Sequence, residues 1–292
     1  GRDLVEAHPE CRATFQEADD VLGESLSTLC FDGPEDRLTL TENAQPAILT
    51  VSVAMHRGLT ARGLAPARVA GHSLGEYSAH VAAGTMAFAD ALGIVRRRGR
   101  YMQEAVPVGE GAMAAVLGLD ADEVGRACAD AGQGEVVSPA NLNAPGQVVI
   151  AGARGAVRRA GEAATERGAK RVVPLTVSAP FHCALMQPAA DRLAPELRAL
   201  EVADPTVPVV ANVDAQPKLE AAAAIEALIG QIASPVLWQQ VVKRLASDGV
   251  DTYLEVGPGS VLTGLMRKID RSLRAVAADS LPTLDHAKES IG

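Results

Sequence analysis

The sequence predicts an α/β protein built on a doubly wound, largely parallel sheet with an inserted ferredoxin-like small domain. Three observations carry that prediction. Short apolar runs alternate with helical patterns on both sides of a middle segment, and the middle segment itself reads β-α-β-β-α-β. A Gly-x-Ser-x-Gly run from Gly71 to Gly75 stands where an apolar strand turns into a helix, the corner at which such sheets expose reactive groups.

Residues 2–22 place Leu4, Val5, Ala7, Phe15, Ala18, Val21 and Leu22 at helical spacing around His8-Pro9. This predicts two helical pieces with a break, and makes His8 a loop histidine. Ala44, Ile48, Leu49, Val51, Val53, Ala54 and Leu59 predict a helix over 41–63 that packs under the corner, with His56 structural. Pro66 ends it; 67–70 fit a buried strand and 76–83 a helix. Between them the glycines let the chain reverse where a Cβ would clash, so the Ser73 hydroxyl is pushed out at the N-terminus of the helix. There the backbone N–H groups, that of Leu74 first, face any negative charge developing on an attacked carbonyl. A helix-capping serine is the competing reading; the strand-turn-helix setting favours a nucleophile. A second helix over 88–106 carries the basic run Arg96-Arg97-Arg98-Gly99-Arg100.

The middle segment has predicted strands at 111–118, 136–141, 147–151 and 170–177, and helices at 120–131 and 156–167, with a turn at 143–146. A small domain is therefore expected at 109–177 and a large one at 1–108 and 178–292. The large domain resumes with a helix at 186–200, a strand at 207–212, helical patterns at 219–232 and 235–247, and a strand at 252–256. A turn, Gly257-Pro258-Gly259, feeds a last helix at 260–269. It resembles a dinucleotide fingerprint, but Leu262 stands in place of the third glycine and Pro258 removes an amide. Close backbone packing is the expected role, and no cofactor is expected.

A chain of 292 residues with 48% hydrophobic content buries a large core. A formal net charge of -9 and 3% aromatics argue against nucleic acid as a partner, which needs a basic face and stacking platforms. Cys11, Cys30, Cys128 and Cys183 are widely spaced, with no metal-like cluster, as in a reduced cytoplasmic protein. The apolar stretch 81–95 is interrupted by Asp90 and no signal peptide opens the chain, so no membrane association is expected. Gly1 stands where methionine would begin and runs at once into a helical pattern, which reads as a trimmed start; a monomer is the expected state.

A serine hydroxyl needs a neighbouring base, and imidazole has the best-matched pKa. His72 should point away from its neighbour Ser73, His80 lies about two turns down the helix, and His286 is in a polar tail. His182 lies in the loop Ser178-Ala179-Pro180-Phe181-His182-Cys183, directly after a predicted strand. On the residues alone it reads equally as the base or as a buried structural histidine.

Five segments then carry a resemblance over nearly the whole chain: Gly71-His72-Ser73-Leu74-Gly75-Glu76-Tyr77, Arg98-Gly99-Arg100-Tyr101-Met102-Gln103, residues 141–150 from Asn141 through Asn143 to Ile150, Phe181-His182-Cys183-Ala184-Leu185-Met186, and Glu255-Val256-Gly257-Pro258-Gly259. In this order they look like the malonyl-CoA:acyl carrier protein transacylases. The resemblance implies a hydrolase-like large domain and a ferredoxin-like small one. It implies Ser73 as acylated nucleophile, His182 as base, Leu74 N–H in the oxyanion hole, and Gln231 orienting the histidine through its backbone carbonyl. Arg98 would bind the malonyl carboxylate, with Met102, Asn141, Asn143 and Phe181 completing the substrate site. Malonyl-CoA and an acyl carrier protein are the implied partners, in a ping-pong reaction without a cofactor or an acidic third member. The acidic carrier would dock on a basic patch drawn from Arg96, Arg97, Arg100, Arg158, Arg159, Lys170 and Arg171. Phe181 is compatible with malonyl in preference to methylmalonyl.

Members of that family begin with a buried strand and a loop whose glutamine supplies a second oxyanion donor. Neither is in this sequence, so the resemblance implies a form lacking both. Two rival readings remain at this stage: a serine hydrolase that passes the acyl group to water, and a carrier-docking module without activity.

Overall fold

The computed structural model describes residues 1–280 together with Pro282, Thr283 and Glu289; His286 lies outside the described residues. Four helices, α1 (Arg2–Ala7), α2 (Pro9–Leu22), α3 (Leu26–Asp32) and α4 (Glu35–Leu38), precede the long α5 (Thr41–Ala61). The break between α1 and α2 falls at His8, held extended at φ -122° and ψ 119° because the following proline excludes the helical region while itself fitting a first helical position. The chain continues as β1 (Val69–Ala70), α6 (Leu74–Ala82), α7 (Phe88–Glu104), β2 (Gly111–Leu117), α8 (Ala121–Gly132), β3 (Val137–Ala144), β4 (Gln147–Ala153), α9 (Arg154–Glu166) and β5 (Arg171–Pro174). A 3-10 turn at Ala184–Met186 opens α10 (Gln187–Arg198), followed by β6 (Val209–Val210), β7 (Pro217–Lys218), α11 (Ala221–Ala233), α12 (Trp238–Ser247), β8 (Thr252–Val256), α13 (Val261–Ile269) and β9 (Arg274–Ala278).

The architecture is mixed α/β, but its parallel pairing is shorter than the sequence predicts. β1 pairs with β6 in parallel over two residues and β7 joins β6 antiparallel, while β8 and β9 form a separate parallel pair. The strand expected over 67–70 is thus the two residues of β1, and that expected over 207–212 the two of β6. Four elements escaped the periodicity: α3, α4, β7 and β9. β9 has the sequence Arg-Ala-Val-Ala-Ala, where alanines of low strand propensity pair only because β8 lies alongside.

The middle segment forms one antiparallel sheet of order β3-β4-β2-β5. This is the strand order of a split βαβ unit. Alternation of side chains buries both of its faces. Ala114, Val116, Val148 and Ile150 pack under α8 and α9 through Val124, Cys128, Val157 and Ala160. Met113, Val149 and Ala151, on the opposite face, pack against Cys183, Phe181 and Leu185. The small sheet is therefore the floor on which the His182 loop rests. β3 is also tied to the segment before α12, where Leu142 N donates to Val236 O and Val236 N donates to Ala140 O, both at 2.9 Å.

The main core joins α5, α6, α7, α10 and α11 through Leu49, Tyr77, Leu92, Ile94, Leu193 and Leu228. His80 of α6 is buried beside it, touching Thr85 Oγ1 through Nδ1, and its Nε2 has no partner among the described residues. Burial lowers its pKa from 6.5 to about 4. The folded state keeps this imidazole neutral while the unfolded chain binds a proton below pH 6.5, so stability is lost as pH falls through that window. The full loss amounts to about 3 kcal/mol near pH 4. Urea unfolding of His80→Gln at pH 7 and pH 4 is expected to show a correspondingly smaller acid loss than the wild type; equal losses would refute this origin. Glu76, raised to about 7, acts with the opposite sign between pH 4.5 and 7 and cancels in that comparison. Among the described residues no helix is long and apolar enough to cross a membrane.

Candidate active site

β1 delivers the chain to Gly71, where a Cβ would lie 2.0 Å from the carbonyl carbon and oxygen of Gly75. Only glycine allows that crossing. At Gly75 itself an added Cβ meets nothing within 4 Å, so one of the two motif glycines, not both, is required by close approach. The turn throws Ser73 into φ 52° and ψ -108°, a conformation that costs a non-glycine residue about 1–3 kcal/mol. Its backbone is held in return: Ser73 N donates to Asn212 Oδ1 at 2.7 Å, and Ser73 O accepts from Gln231 Nε2 at 3.0 Å. Leu74 N, at the start of α6, has no acceptor among the described residues.

His182 also adopts a positive φ, 59°, and is 4% exposed. Its Nε2 lies 2.6 Å from Ser73 Oγ and its Nδ1 lies 3.0 Å from Gln231 O. A carbonyl oxygen only accepts, so Nδ1 carries the proton and Nε2 is left to accept from the serine hydroxyl. Burial, and then the nearby Arg98 charge, push its pKa down to about 3. The resting imidazole is therefore neutral, with its Nε2 lone pair turned to the serine hydroxyl.

Arg98, on α7, is 2% exposed. Nη1 donates to Gln45 Oε1 at 2.6 Å; Nη2 donates to Gln231 Oε1 at 3.0 Å and to Ser73 Oγ at 3.1 Å. Its guanidinium lies over the Tyr77 ring at 5.4 Å, and Nε has no partner among the described residues. The other arginines of the run face carboxylates: Arg96 that of Glu24, Arg97 that of Glu196 and Arg100 that of Glu104. Those three are partly exposed and meet carboxylates, while Arg98 points a buried cation at Ser73 Oγ.

Ser73, His182, Arg98 and Gln231 are thus brought together by contact. The remaining candidates stand one step away. Met102 is buried one turn beyond Arg98, with Sδ 4.0 Å from Gln45 Nε2. Asn143 Oδ1 lies 2.9 Å from His72 Nε2, holding that imidazole beside the Trp238 ring. Asn141 bridges to Val236, and Phe181 packs on the small sheet. The Gly257-Pro258-Gly259 turn passes so close to α5 that a Cβ on Gly257 would meet Ser52 Oγ at 2.7 Å. Two first-turn amides of α13, Leu262 N and Thr263 N, donate to Glu255, which leaves them unavailable to a phosphate. Among the described residues no group of three His, Cys, Asp or Glu side chains is placed to hold a metal ion.

A family model, the acyl transferase domain, matches residues 1–289. The chain belongs to the acyl transferase domain family. It is 50% identical over 288 residues to the malonyl CoA-acyl carrier protein transacylase of Escherichia coli (strain K12), covering 98% of this chain and 93% of that protein. It is similar in structure to an acyl carrier protein S-malonyltransferase from Vibrio cholerae, with TM-score 0.96, 49% identity, and 98% and 94% of the two chains covered. It is also similar to a malonyl-transacylase solved in complex with its type II PKS acyl-carrier protein, with TM-score 0.97, 49% identity, and 99% and 94% covered.

The matched family model spans all the stretches that carry Ser73, Arg98, His182 and Gln231. The elbow was legible from its motif. Three participants were not: Gln45, which accepts from Arg98, and Glu76 and Asn212, which lie beneath Ser73. Glu76 carries one signal that could have found it, a carboxyl flanked by Leu74, Tyr77 and Ala79 one turn after Ser73. Asn212 carries another, a polar side chain at the carboxyl end of a strand.

Proposed function

We infer that this chain transfers malonyl from malonyl-CoA to the phosphopantetheine thiol of an acyl carrier protein, through an ester on Ser73. The observation that carries the reading is the buried Arg98 guanidinium, with Nη2 3.1 Å from the nucleophilic oxygen. A buried arginine matches a carboxylate with two parallel hydrogen bonds, and an acyl group without an acid leaves that charge unpaired. A malonyl unit esterified to Ser73 ends in such a carboxylate, within reach of Arg98.

In the first half-reaction His182 Nε2 takes the Ser73 proton as Oγ bonds to the thioester carbonyl carbon. Leu74 N–H faces the resulting oxyanion. Collapse breaks the C–S bond, and His182 returns the proton to the departing CoA sulfur. In the second half, the carrier thiol gives its proton to His182 and attacks the ester carbonyl; Ser73 Oγ leaves and recovers the proton. Gln231 O keeps the imidazole in one tautomer throughout, in the place an acidic third member takes elsewhere.

The same reading joins β1–β6 and β8–β9 into one hydrolase-like, doubly wound sheet of a large domain, residues 1–108 and 178–292, with 109–177 as the ferredoxin-like insert. A monomer in the cytoplasm belongs to it, and so does carrier docking on a local basic patch. Of the cations considered for that patch, Arg158 faces Glu162 and Arg159 faces Glu135, as Arg96, Arg97 and Arg100 face their own carboxylates. Lys170 and Arg171, exposed at the outer strand β5, are the better candidates.

Intact-protein mass spectrometry tests the function. Brief incubation with malonyl-CoA is expected to add one malonyl group, absent in Ser73→Ala and removed by adding a holo carrier protein. Loss of the adduct to water at the same rate without the carrier would favour a hydrolase, and no adduct at all would sink the transferase reading.

A further inference from the structure

Two side chains outside that chemistry lie directly beneath the elbow, and both are fully buried. Asn212, just past β6, clamps the turn from both sides: its Nδ2 donates to Gly71 O and its Oδ1 accepts from Ser73 N, each at 2.7 Å. Glu76, in the first turn of α6, collects the other ends. Its Oε2 accepts from Asn212 N at 3.0 Å and from Gln231 Nε2 at 2.7 Å. The same Gln231 amide donates to Ser73 O and accepts from Arg98 Nη2, so a single amide group joins the Glu76 carboxyl to the buried guanidinium.

We propose that Glu76 and Asn212 are positioning residues of the acyl-transfer site, which hold the Ser73 backbone in its left-handed conformation and aim Gln231, keeping Ser73 Oγ on His182 Nε2 and beside Arg98. The inference rests on Ser73 being the acylated nucleophile. A strained conformation persists only where its surroundings over-determine it, and here the N–H and the C=O of Ser73 are each held by a side chain more than 130 residues away in sequence. Packing alone does not account for a carboxyl at position 76. Its Oε1 has no partner among the described residues, and burial raises its pKa to about 7 against the opposing pull of Gln231 and Asn212. What the carboxyl adds is a strong acceptor for two N–H groups and a charge opposite to that of Arg98, passed through the Gln231 amide.

The test measures two rates in Glu76→Ala, Asn212→Ala and Glu76→Gln: labelling of Ser73 by phenylmethylsulfonyl fluoride, and single-turnover loading from malonyl-CoA. Both alanine variants are expected to lower each rate by about 10²-fold, with KM for malonyl-CoA within about threefold of the wild type. Glu76→Gln, which keeps an acceptor for both N–H groups but not the charge, should recover about tenfold over Glu76→Ala while remaining slower than the wild type. Folded alanine variants that label at the wild-type rate would overturn the proposal. So would a rise in KM as large as the fall in kcat, or a glutamine no better than alanine. If the alanine variants do not fold, Glu76→Gln labelling as fast as the wild type overturns it and slower labelling at an unchanged melting temperature supports it. The sulfonyl fluoride carries no malonyl group, so these rates decide the positioning roles even where a wild type that takes no malonyl has sunk the substrate reading.

Discussion

Alanine in place of His182 slows malonyl loading of Ser73 by about 10⁴-fold or more at saturating malonyl-CoA, with little change in KM. The size follows from the geometry. A serine hydroxyl is almost wholly protonated at neutral pH, and His182 Nε2, at 2.6 Å, is the acceptor aligned on its oxygen. Among the described residues no carboxylate touches His182 Nδ1; its partner is the Gln231 carbonyl, which fixes the tautomer without adding charge. Burial and the Arg98 charge keep the resting imidazole neutral, so its Nε2 lone pair is available to the serine hydroxyl before the reaction starts. Removing it takes away the proton acceptor of the first half-reaction and the proton donor for the departing thiol. Rapid-quench mass spectrometry of the adduct on Ser73 gives the rate. A fall of less than about tenfold would show that another group takes the proton.

Arg98→Ala separates the acid-bearing substrate from its neutral analogue. Malonyl loading is expected to fall by about 10²- to 10³-fold, the consequence of leaving a buried carboxylate unpaired. Acetyl loading is expected to rise over that of the wild type, because the same guanidinium without its carboxylate is what penalises an acetyl chain. Arg98→Lys should restore little of the malonyl rate, since a compact ammonium cannot reproduce the two-pronged contacts that Arg98 divides among Gln45, Gln231 and Ser73. The measurement is the ratio of kcat/KM for malonyl-CoA to that for acetyl-CoA in each variant. A parallel loss with both substrates would assign Arg98 to the structure of the pocket and not to the choice of acyl group.

How much of the site could be read in advance differs residue by residue, and the differences have physical causes. Ser73 was legible because a tight strand-to-helix corner needs its glycine locally: the clash that demands Gly71 is with Gly75, four residues away. His182 was legible as a loop histidine but not as the partner of Ser73, because the groups it contacts lie 109 and 49 residues away. Arg98 stood among four arginines, and only packing shows that the other three meet Glu24, Glu196 and Glu104 on the surface while this one is turned inward. The role of Gln231 came from family resemblance, and nothing in its helical surroundings marks it. The strands β1 and β6 are shorter than the sequence predicts because an apolar run is longer than the part of it that finds a hydrogen-bonding neighbour.

Most of the order of helices and strands, the corner at Ser73 and the family were determined by the sequence itself, because periodicity, proline and glycine chemistry and short motifs act over a few residues. Which histidine faces the serine, which arginine is buried, and how Glu76 and Asn212 reach under the elbow were decided only by the tertiary structure. Those contacts join segments distant in the chain, and they form because packing the small sheet and the helices brings these segments together where most of the buried polar groups find partners in one another.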